Sequence, residues 1–183
     1  MFVKKANAYL ALISILMLVL HAAYQLFSYI AFFYNPMLSA AFGFTLLAAV
    51  LLHVFLSVVS IFVLHDAKTI LYKKLNIRTL IQRISALLMI LLLPIHVNEF
   101  QLLQNISNGV EFVVLEGFLV MFYAALFLHV SASFTKALIT LGWLYDDEKR
   151  KAYDRLLMRA CALVFVIVAA ISIHTHISLI NNI

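Results

Sequence analysis

The sequence predicts an all-α integral membrane protein with five transmembrane helices. Hydrophobic residues make up 66% of the 183-residue chain and charged residues only 11%, whereas soluble domains average about 45–50% apolar and about 25% charged residues. A membrane-spanning helix needs roughly 20 apolar residues, so the chain has room for five or six spans. The low content of glycine and proline, four and two residues, argues against a β-barrel, in which turns separate many short strands.

Five apolar segments predict the individual helices. They cover residues of about 7–34, 38–66, 80–103, 110–142 and 153–180. The breaks between them fall at 35–36, 68–83, 98–108 and 146–155. The first segment is too long for the core of a signal peptide, so it predicts a retained first helix.

The basic residues all fall on one side of the membrane in this topology. The thirteen are Lys4, Lys5, Lys68, Lys73, Lys74, Arg78, Arg83, Lys136, Lys149, Arg150, Lys151, Arg155 and Arg159. They lie at the N-terminus or in the second and fourth loops, and the other loops have none. The positive-inside rule therefore predicts a protein of the inner (plasma) membrane with its N-terminus in the cytoplasm and its C-terminus outside. The basic loops suit anionic lipid or an acidic cytoplasmic subunit, and the net charge of +5 requires no nucleic acid.

Each of the first four predicted helices contains a histidine deep in its apolar segment: His21, His53, His96 and His129. Ionisable residues inside a membrane are expensive and usually functional. A single histidine could bridge two helices by a hydrogen bond. Four histidines on consecutive helices can instead form two facing pairs, and each pair of imidazoles can bind one haem iron. The sequence therefore predicts that the first four helices form a bundle that binds two haem b groups.

Small polar residues share helix faces with these histidines. Gln25, Ser57 and Ser133 each lie four residues after the histidine of their helix, and residues four apart share a face. They are candidates to hydrogen-bond haem propionates or the second nitrogen of the histidines. The alternative is that such residues are common wherever membrane helices touch.

Depth in the membrane separates the four histidines only in part. At about 1.5 Å per residue, His129 lies roughly 10 Å from Lys136 and near the cytoplasmic side, whereas His96 lies roughly 20 Å from Arg83 and near the outer side. The other two histidines each lie roughly 22–24 Å from the nearest cytoplasmic basic residue. Depth therefore leaves their pairing open.

Several segments resemble one family of membrane cytochromes. Residues 81–85 and 94–97 have the sequences IQRIS and PIHV, and the run 122–143 leads from Phe122-Tyr123 through His129 to Trp143. A basic turn and a last span poor in histidine follow. These segments are similar to the third, fourth and fifth spans of the di-haem cytochrome b anchor of succinate dehydrogenases and fumarate reductases, the succinate:quinone oxidoreductases. The order of one histidine on each of the first four helices is also the same, so the resemblance covers nearly the whole chain.

The resemblance implies a pairing of the ligands. His53 and His129 would bind the haem nearer the cytoplasm, and His21 and His96 would bind the outer haem. This assignment pairs the second helix with the fourth and the first with the third.

The resemblance also implies partners and further site residues. Arg83 and Lys136, at the cytoplasmic ends of their helices, would neutralise haem propionates. Flavoprotein and iron–sulfur subunits would dock on the basic cytoplasmic face and exchange electrons with menaquinone or ubiquinone through the two haems. The chain would then be a non-catalytic or quinone-reacting subunit of an oxidoreductase complex. Its single cysteine, Cys161, cannot build an iron–sulfur cluster.

Ionisable residues at the predicted outer end are candidates for a quinone site. They are Glu99, Glu116, His174 and His176. A quinone site needs a group that accepts or donates a proton, and the alternative is simple placement at the membrane interface. The chain also departs from the family, because the loop 34–38 has no acid and Phe127 stands two residues before His129. Menaquinol-oxidising fumarate reductases place glutamates at or near both places, so an outer quinol site of that design is not expected.

Two other classes of protein are alternatives. One is the cytochrome b subunit of another respiratory complex, such as a hydrogenase or formate dehydrogenase, whose partner often docks outside. The basic cytoplasmic loops argue against it. The other is a haem-free transporter or scaffold whose histidines line a polar path, and the absence of broken helices in the sequence pattern argues against it.

Overall fold

The computed structural model describes residues 2–31, 33–62 and 73–180, and the secondary structure within these ranges is entirely α-helical. The helices are α1 (Phe2–Ala31), α2 (Pro36–Phe62), α3 (Lys73–Val97), α4 (Glu99–Gln104), α5 (Gly109–Leu141) and α6 (Asp147–Ile180). All except α4 are long and apolar enough to cross a membrane. The all-α fold class and five candidate spans are thus confirmed, while the haem-binding bundle stays a prediction. The predicted end of the second helix at 66 and the first part of the predicted loop 68–83 lie outside the described residues. The rest of that loop is wrong, because α3 begins at Lys73, seven residues before the predicted position.

The long helices follow from the demands of the bilayer on the backbone. Hydrocarbon offers no hydrogen-bond partner, so every peptide group must be satisfied within the segment. α5 and α6 contain 33 and 34 residues, which at about 1.5 Å per residue exceed a hydrocarbon core about 30 Å thick. Both helices therefore have room to continue into the interfacial region.

The connection between α1 and α2 is displaced from its predicted position, because α1 ends at Ala31 and Asn35 caps α2. Asn35 Oδ1 accepts the backbone N–H groups of Met37 and Leu38, at 3.0 and 3.2 Å. Pro36 occupies the first helical position, where its missing N–H is not needed. The Tyr24 hydroxyl donates to the carbonyl oxygen of Asn35 and accepts its N–H, both at 2.9 Å. α2 consequently begins two residues before the predicted position.

The predicted third helix, 80–103, is two helices in the structure. α3 ends at Val97, and Asn98 has φ −103° and ψ 15°, a conformation in the bridge region rather than the helical one. The Asn98 side chain donates through Nδ2 to the carbonyl oxygen of Pro94 at 2.8 Å, which offers the backbone an alternative to the helix. The predicted helix had overlapped the polar break at 98–108, and α3 ends where that polar segment begins. The break brings Glu99 back towards the end of α3.

The last helix begins six residues earlier than predicted, because Asp146 caps it. Asp146 Oδ1 accepts the backbone N–H groups of Glu148 and Lys149, at 2.8 and 3.1 Å. The N–H groups of Lys149 and Glu148 stabilise the charged carboxylate and hold the pKa of Asp146 below its ordinary value. Asp147 and Glu148 also suit the positive end of the helix dipole. The charged segment had been predicted as a loop because its apolar content is low.

The chain divides into two compact units. Unit 1 comprises Met1–Lys73 and Ser133–Arg155, and unit 2 comprises Lys74–Ala132 and Leu156–Ile183. Unit 1 therefore contains α1, α2, the end of α5 and the start of α6. Unit 2 contains α4, nearly all of α3 and most of α5 and α6.

In unit 1, α1 and α2 pack antiparallel along their length. Asn7 Nδ2 donates to Ser57 Oγ at 3.0 Å, and Gln25 Nε2 donates to Ser39 Oγ at 2.9 Å. Hydrogen bonds of this kind join membrane helices because lipid tails offer polar side chains no partner. The two bonds, 18 residues apart on α1, set the alignment of the pair.

In unit 2, one apolar cluster joins α3, α4 and α5. Its buried members are Leu92, Leu103, Leu115, Leu119, Phe122 and Tyr123. Leu119 is completely buried. The rings of Phe127 and Phe165, 6.3 Å apart, extend the packing to α6. This cluster packs α3, α5 and α6 together, and these three helices carry the polar residues of the candidate site.

Candidate functional site

His129, on α5, is oriented by α3. Its Nδ1 lies 2.9 Å from the backbone carbonyl oxygen of Gln82 and 3.3 Å from Ser85 Oγ. A carbonyl oxygen only accepts hydrogen bonds, so Nδ1 must be protonated and the lone pair of the neutral ring lies on Nε2. Metal-binding histidines are commonly held in this way, with one ring nitrogen donating to a carbonyl and the other binding the metal.

Arg78 is a residue near His129 that sequence analysis did not select. Its Nε donates to the carbonyl oxygen of Ala132 at 2.9 Å, and a terminal nitrogen donates to that of Ser131 at 3.4 Å. Both carbonyls lie within one helical turn of His129. Arg78 precedes Gln82 by four residues and therefore shares its face of α3. That spacing was the available indication in the sequence.

His96 lies at the end of α3 and contacts α4 and α5. Its Nδ1 is 3.1 Å from Oε2 of Glu99, which is only 6% exposed. The ring stacks on Phe122 with centroids 4.7 Å apart and meets Tyr123 edge-on at 5.8 Å. When Nδ1 donates to the carboxylate, the lone pair again lies on Nε2. The break at Asn98 makes this contact possible, because it starts α4 with a carboxylate three residues after His96.

A buried ionisable pair joins α5 to α6. Glu116 Oε1 lies 2.5 Å from Nδ1 of His176, and the two residues are 7% and 0% exposed. The ring of Phe100 meets that of His176 edge-on at 6.1 Å. Tyr123 lies close to Ser172 and within the electrostatic influence of Glu116. His176 is therefore buried against α5, and its role stays a prediction.

Three of the selected residues occupy exposed positions. They are Arg83, Lys136 and His174. His174 differs from His176 because residues two apart on a helix point about 200° apart. Long basic side chains at such positions can reach lipid headgroups.

The four histidines on the first four spans are divided between the two units. His21 and His53 are half-buried residues of unit 1, and His96 and His129 are half-buried residues of unit 2. The two pairings implied by the family resemblance therefore stay predictions. Nδ1 of His53 is buried and has no hydrogen-bond partner among the described residues.

The small polar residues of the predicted haem pockets have different surroundings. Gln25 and Ser57 make the hydrogen bonds that join α1 to α2. Ser133 is buried, and its hydroxyl has no partner in the described part of the chain. Of these three residues, Ser133 is thus the one whose side chain lacks the hydrogen-bond partner that a buried polar group needs.

A metal ion and a haem place different requirements on the side chains that bind them. Within residues 2–31, 33–62 and 73–180, no group of three or more His, Cys, Asp and Glu side chains is placed to bind a metal ion. Haem iron has a different requirement, because the porphyrin supplies four nitrogens and the protein only axial ligands. The held Nδ1 atoms of His129 and His96 are compatible with axial ligation through Nε2.

No protein-family model, curated protein or solved structure matches the chain. Its function is therefore inferred from its residues and their geometry.

Proposed function

We propose that the protein is a di-haem cytochrome b that anchors an oxidoreductase in the membrane and exchanges electrons with quinone. His21, His53, His96 and His129 would supply the axial ligands. A haem b with two axial imidazoles would carry one electron at a time, and the polypeptide would supply its ligands, position and electrostatic environment. The catalytic partner would be a flavoprotein with an iron–sulfur subunit, as in the succinate dehydrogenase and fumarate reductase family.

The observation that carries this proposal is the hydrogen bond from Nδ1 of His129 to the carbonyl oxygen of Gln82, at 2.9 Å. Here the acceptor is a backbone atom of a neighbouring helix, which fixes both the tautomer and the direction of Nε2. His96 repeats the arrangement with Glu99 as acceptor. Ligand rings held in this way support iron binding.

Charged residues near the ligands support the same proposal. Arg78 lies within one turn of His129 along the α5 backbone to which it donates, so it is better placed than the exposed Arg83 to interact with a haem propionate near His129. Arginine matches the planar carboxylate with paired donors. Lys136 and Ser133, on the following turns of α5, remain further candidates for propionate contacts.

The distribution of basic residues supports a cytoplasmic partner. Under the positive-inside rule, the basic N-terminus and loops face the cytoplasm of an inner-membrane protein whose C-terminus lies outside. Asp146, before α6, and Asp147, at its start, add acids to the basic residues there, and Asp147 pairs with Arg150 at 3.2 Å. A mixed surface of this kind suits an oriented contact with a soluble subunit.

The test is a dithionite-reduced minus oxidised visible spectrum of the purified protein, with a haem-to-protein ratio. We expect low-spin b-type bands at two haems per chain. A well-folded and colourless preparation would refute the proposal and favour the haem-free transporter or scaffold. Affinity purification from the native membrane, followed by mass spectrometry, tests the partner. A flavoprotein with an iron–sulfur subunit is expected, and a hydrogenase or formate dehydrogenase would assign the chain to another respiratory complex.

A further inference from the structure

His96 and His129 have chemically different hydrogen-bond acceptors. Nδ1 of His129 lies 2.9 Å from the backbone carbonyl oxygen of Gln82, which is a neutral group. Nδ1 of His96 lies 3.1 Å from Oε2 of Glu99, which belongs to a carboxyl group. A hydrogen bond to an ionised acceptor is roughly twice as strong as one between neutral groups. The two imidazole rings therefore differ in how strongly their Nε2 atoms can donate electrons to a metal.

The contact between His96 and Glu99 is shielded from water. Glu99 is buried, and the His96 ring stacks on Phe122 with centroids 4.7 Å apart. Tyr123 meets the same ring edge-on at 5.8 Å. Because the effective dielectric constant is low in such surroundings, a hydrogen bond to a charged group has a larger effect there than at a surface exposed to water.

The Glu99 carboxyl group is anchored independently of His96. α3 ends before Asn98, and α4 begins at Glu99. Leu103, four residues later, shares the face of Glu99 on α4 and is a buried member of the apolar cluster. The Tyr123 hydroxyl of α5 also lies close to the carboxyl group and can donate a hydrogen bond to it. The packing of α4 and α5 thus presents the carboxyl group to the His96 ring.

We propose that Glu99 is a positioning residue that lowers the midpoint potential of the haem bound by His96. This inference rests on the proposed function. When Nε2 binds iron, Nδ1 carries the proton and donates it in a hydrogen bond to the Glu99 carboxylate. An acceptor of this kind raises the basicity of the ligand. A more basic ligand stabilises ferric iron more than ferrous iron, because the ferric ion carries one more positive charge, and hydrogen bonding to the ligand is one means by which proteins tune haem.

Glu99→Gln tests the role of the carboxylate. Glutamine keeps the size of the side chain, and its amide oxygen can still accept from Nδ1 of His96, so the haem should stay bound. At a fixed ambient potential, the ratio of reduced to oxidised haem should rise about tenfold, the scale of the difference between a charged and a neutral acceptor. For transfer of one electron, this corresponds to an increase of about 59 mV in the midpoint potential.

Tyr123→Phe provides a second test that leaves the carboxyl group in place. The substitution removes a donor that shares the carboxylate with Nδ1 of His96. The remaining hydrogen bond to Nδ1 should strengthen, so the same midpoint potential should fall. A side chain that served only to hold the fold would not shift the potential in opposite directions in these two variants.

The measurement is a redox titration of the purified full-length protein, followed by its visible spectrum and resolved into the two haems. His96→Ala identifies the haem in question, because that component should be missing. Glu111→Gln is the matched control, since Glu111 is exposed at the start of α5, and both of its midpoint potentials should equal those of the parent.

The two proposals fail in different ways. Absence of haem from the parent protein would refute the proposed function and this inference with it. Two bound haems with unchanged potentials in Glu99→Gln, equal shifts of both haems, or loss of the His96 haem alone would overturn the role of Glu99 and leave the proposed function intact. If Glu99→Gln does not fold, an unchanged or higher potential in Tyr123→Phe would overturn that role.

Discussion

His129→Ala provides the sharpest test of the proposed ligands, because haem content and stability should respond very differently. If His129 is an axial ligand, the variant should lose the haem that it binds and retain the other. The haem-to-protein ratio should then fall from about two to about one in a protein that remains folded. A histidine that only joined α3 to α5 would leave haem content unchanged.

Loss of the hydrogen bond alone should cost little stability, and the stabilisation lost with the haem would add to that cost. The carbonyl oxygen of Gln82 accepts not only from His129 but also from Ser85 Oγ at 3.1 Å, and it lies within α3, where the backbone N–H four residues later is its regular partner. Removing the imidazole therefore leaves no orphaned acceptor. One neutral hydrogen bond contributes about 1 kcal/mol, against a typical total of about 5–15 kcal/mol.

The assay combines the reduced-minus-oxidised spectrum with thermal unfolding of the same sample. His174→Ala, on an exposed position of α6, is the matched control and should retain both haems. Added imidazole should restore the missing bands in His129→Ala, since the free ligand can occupy the vacated space. An unchanged ratio, or loss of both haems without unfolding, would refute the assignment of His129 as a ligand of one haem.

Three further predictions concern the fold. Leu119→Ala should destabilise unit 2 by about 2–3 kcal/mol, which is the lower part of the range for buried leucines because lipid already solvates apolar groups. Leu128→Ala, at a position 53% exposed, should change the unfolding free energy by less than about 0.5 kcal/mol. Unfolding in mixed micelles measures both values, and equal effects would contradict the packing described for α5. Ser57→Ala should lower the unfolding free energy by about 0.6 kcal/mol in the same assay, which is the average for a hydrogen bond between membrane helices, because Asn7 loses its partner. A loss several times larger would show that this bond does more than join α1 to α2. The pKa of Asp146 is lowered in the folded protein, so its capping contribution is present above the ordinary carboxyl pKa and is lost as the pH falls through the folded value. Amide hydrogen exchange in the first turn of α6 should therefore become faster at acidic pH, and in Asp146→Ala it should already be faster at neutral pH. Unchanged exchange in that variant would exclude the cap.

The membrane character and the number of candidate spans could be predicted from the sequence. Lipid demands about 20 apolar residues and a fully hydrogen-bonded backbone from each span, and both requirements act locally along the chain. The helix ends were less predictable, because they depend on single side chains. Asn98 ends α3 within a polar stretch that follows an apolar run, and Asp146 starts α6 within a charged run that resembles a loop.

The partners of the histidines were decided by the tertiary structure alone. The acceptor that orients His129 is the backbone of Gln82, and a backbone carbonyl leaves no mark in a sequence. Glu116 and His176 are 60 residues apart, and their contact depends on the rotation of α5 and α6 about their axes. Composition determines whether a helix enters the membrane, but the packing of its neighbours determines which of its faces meets them.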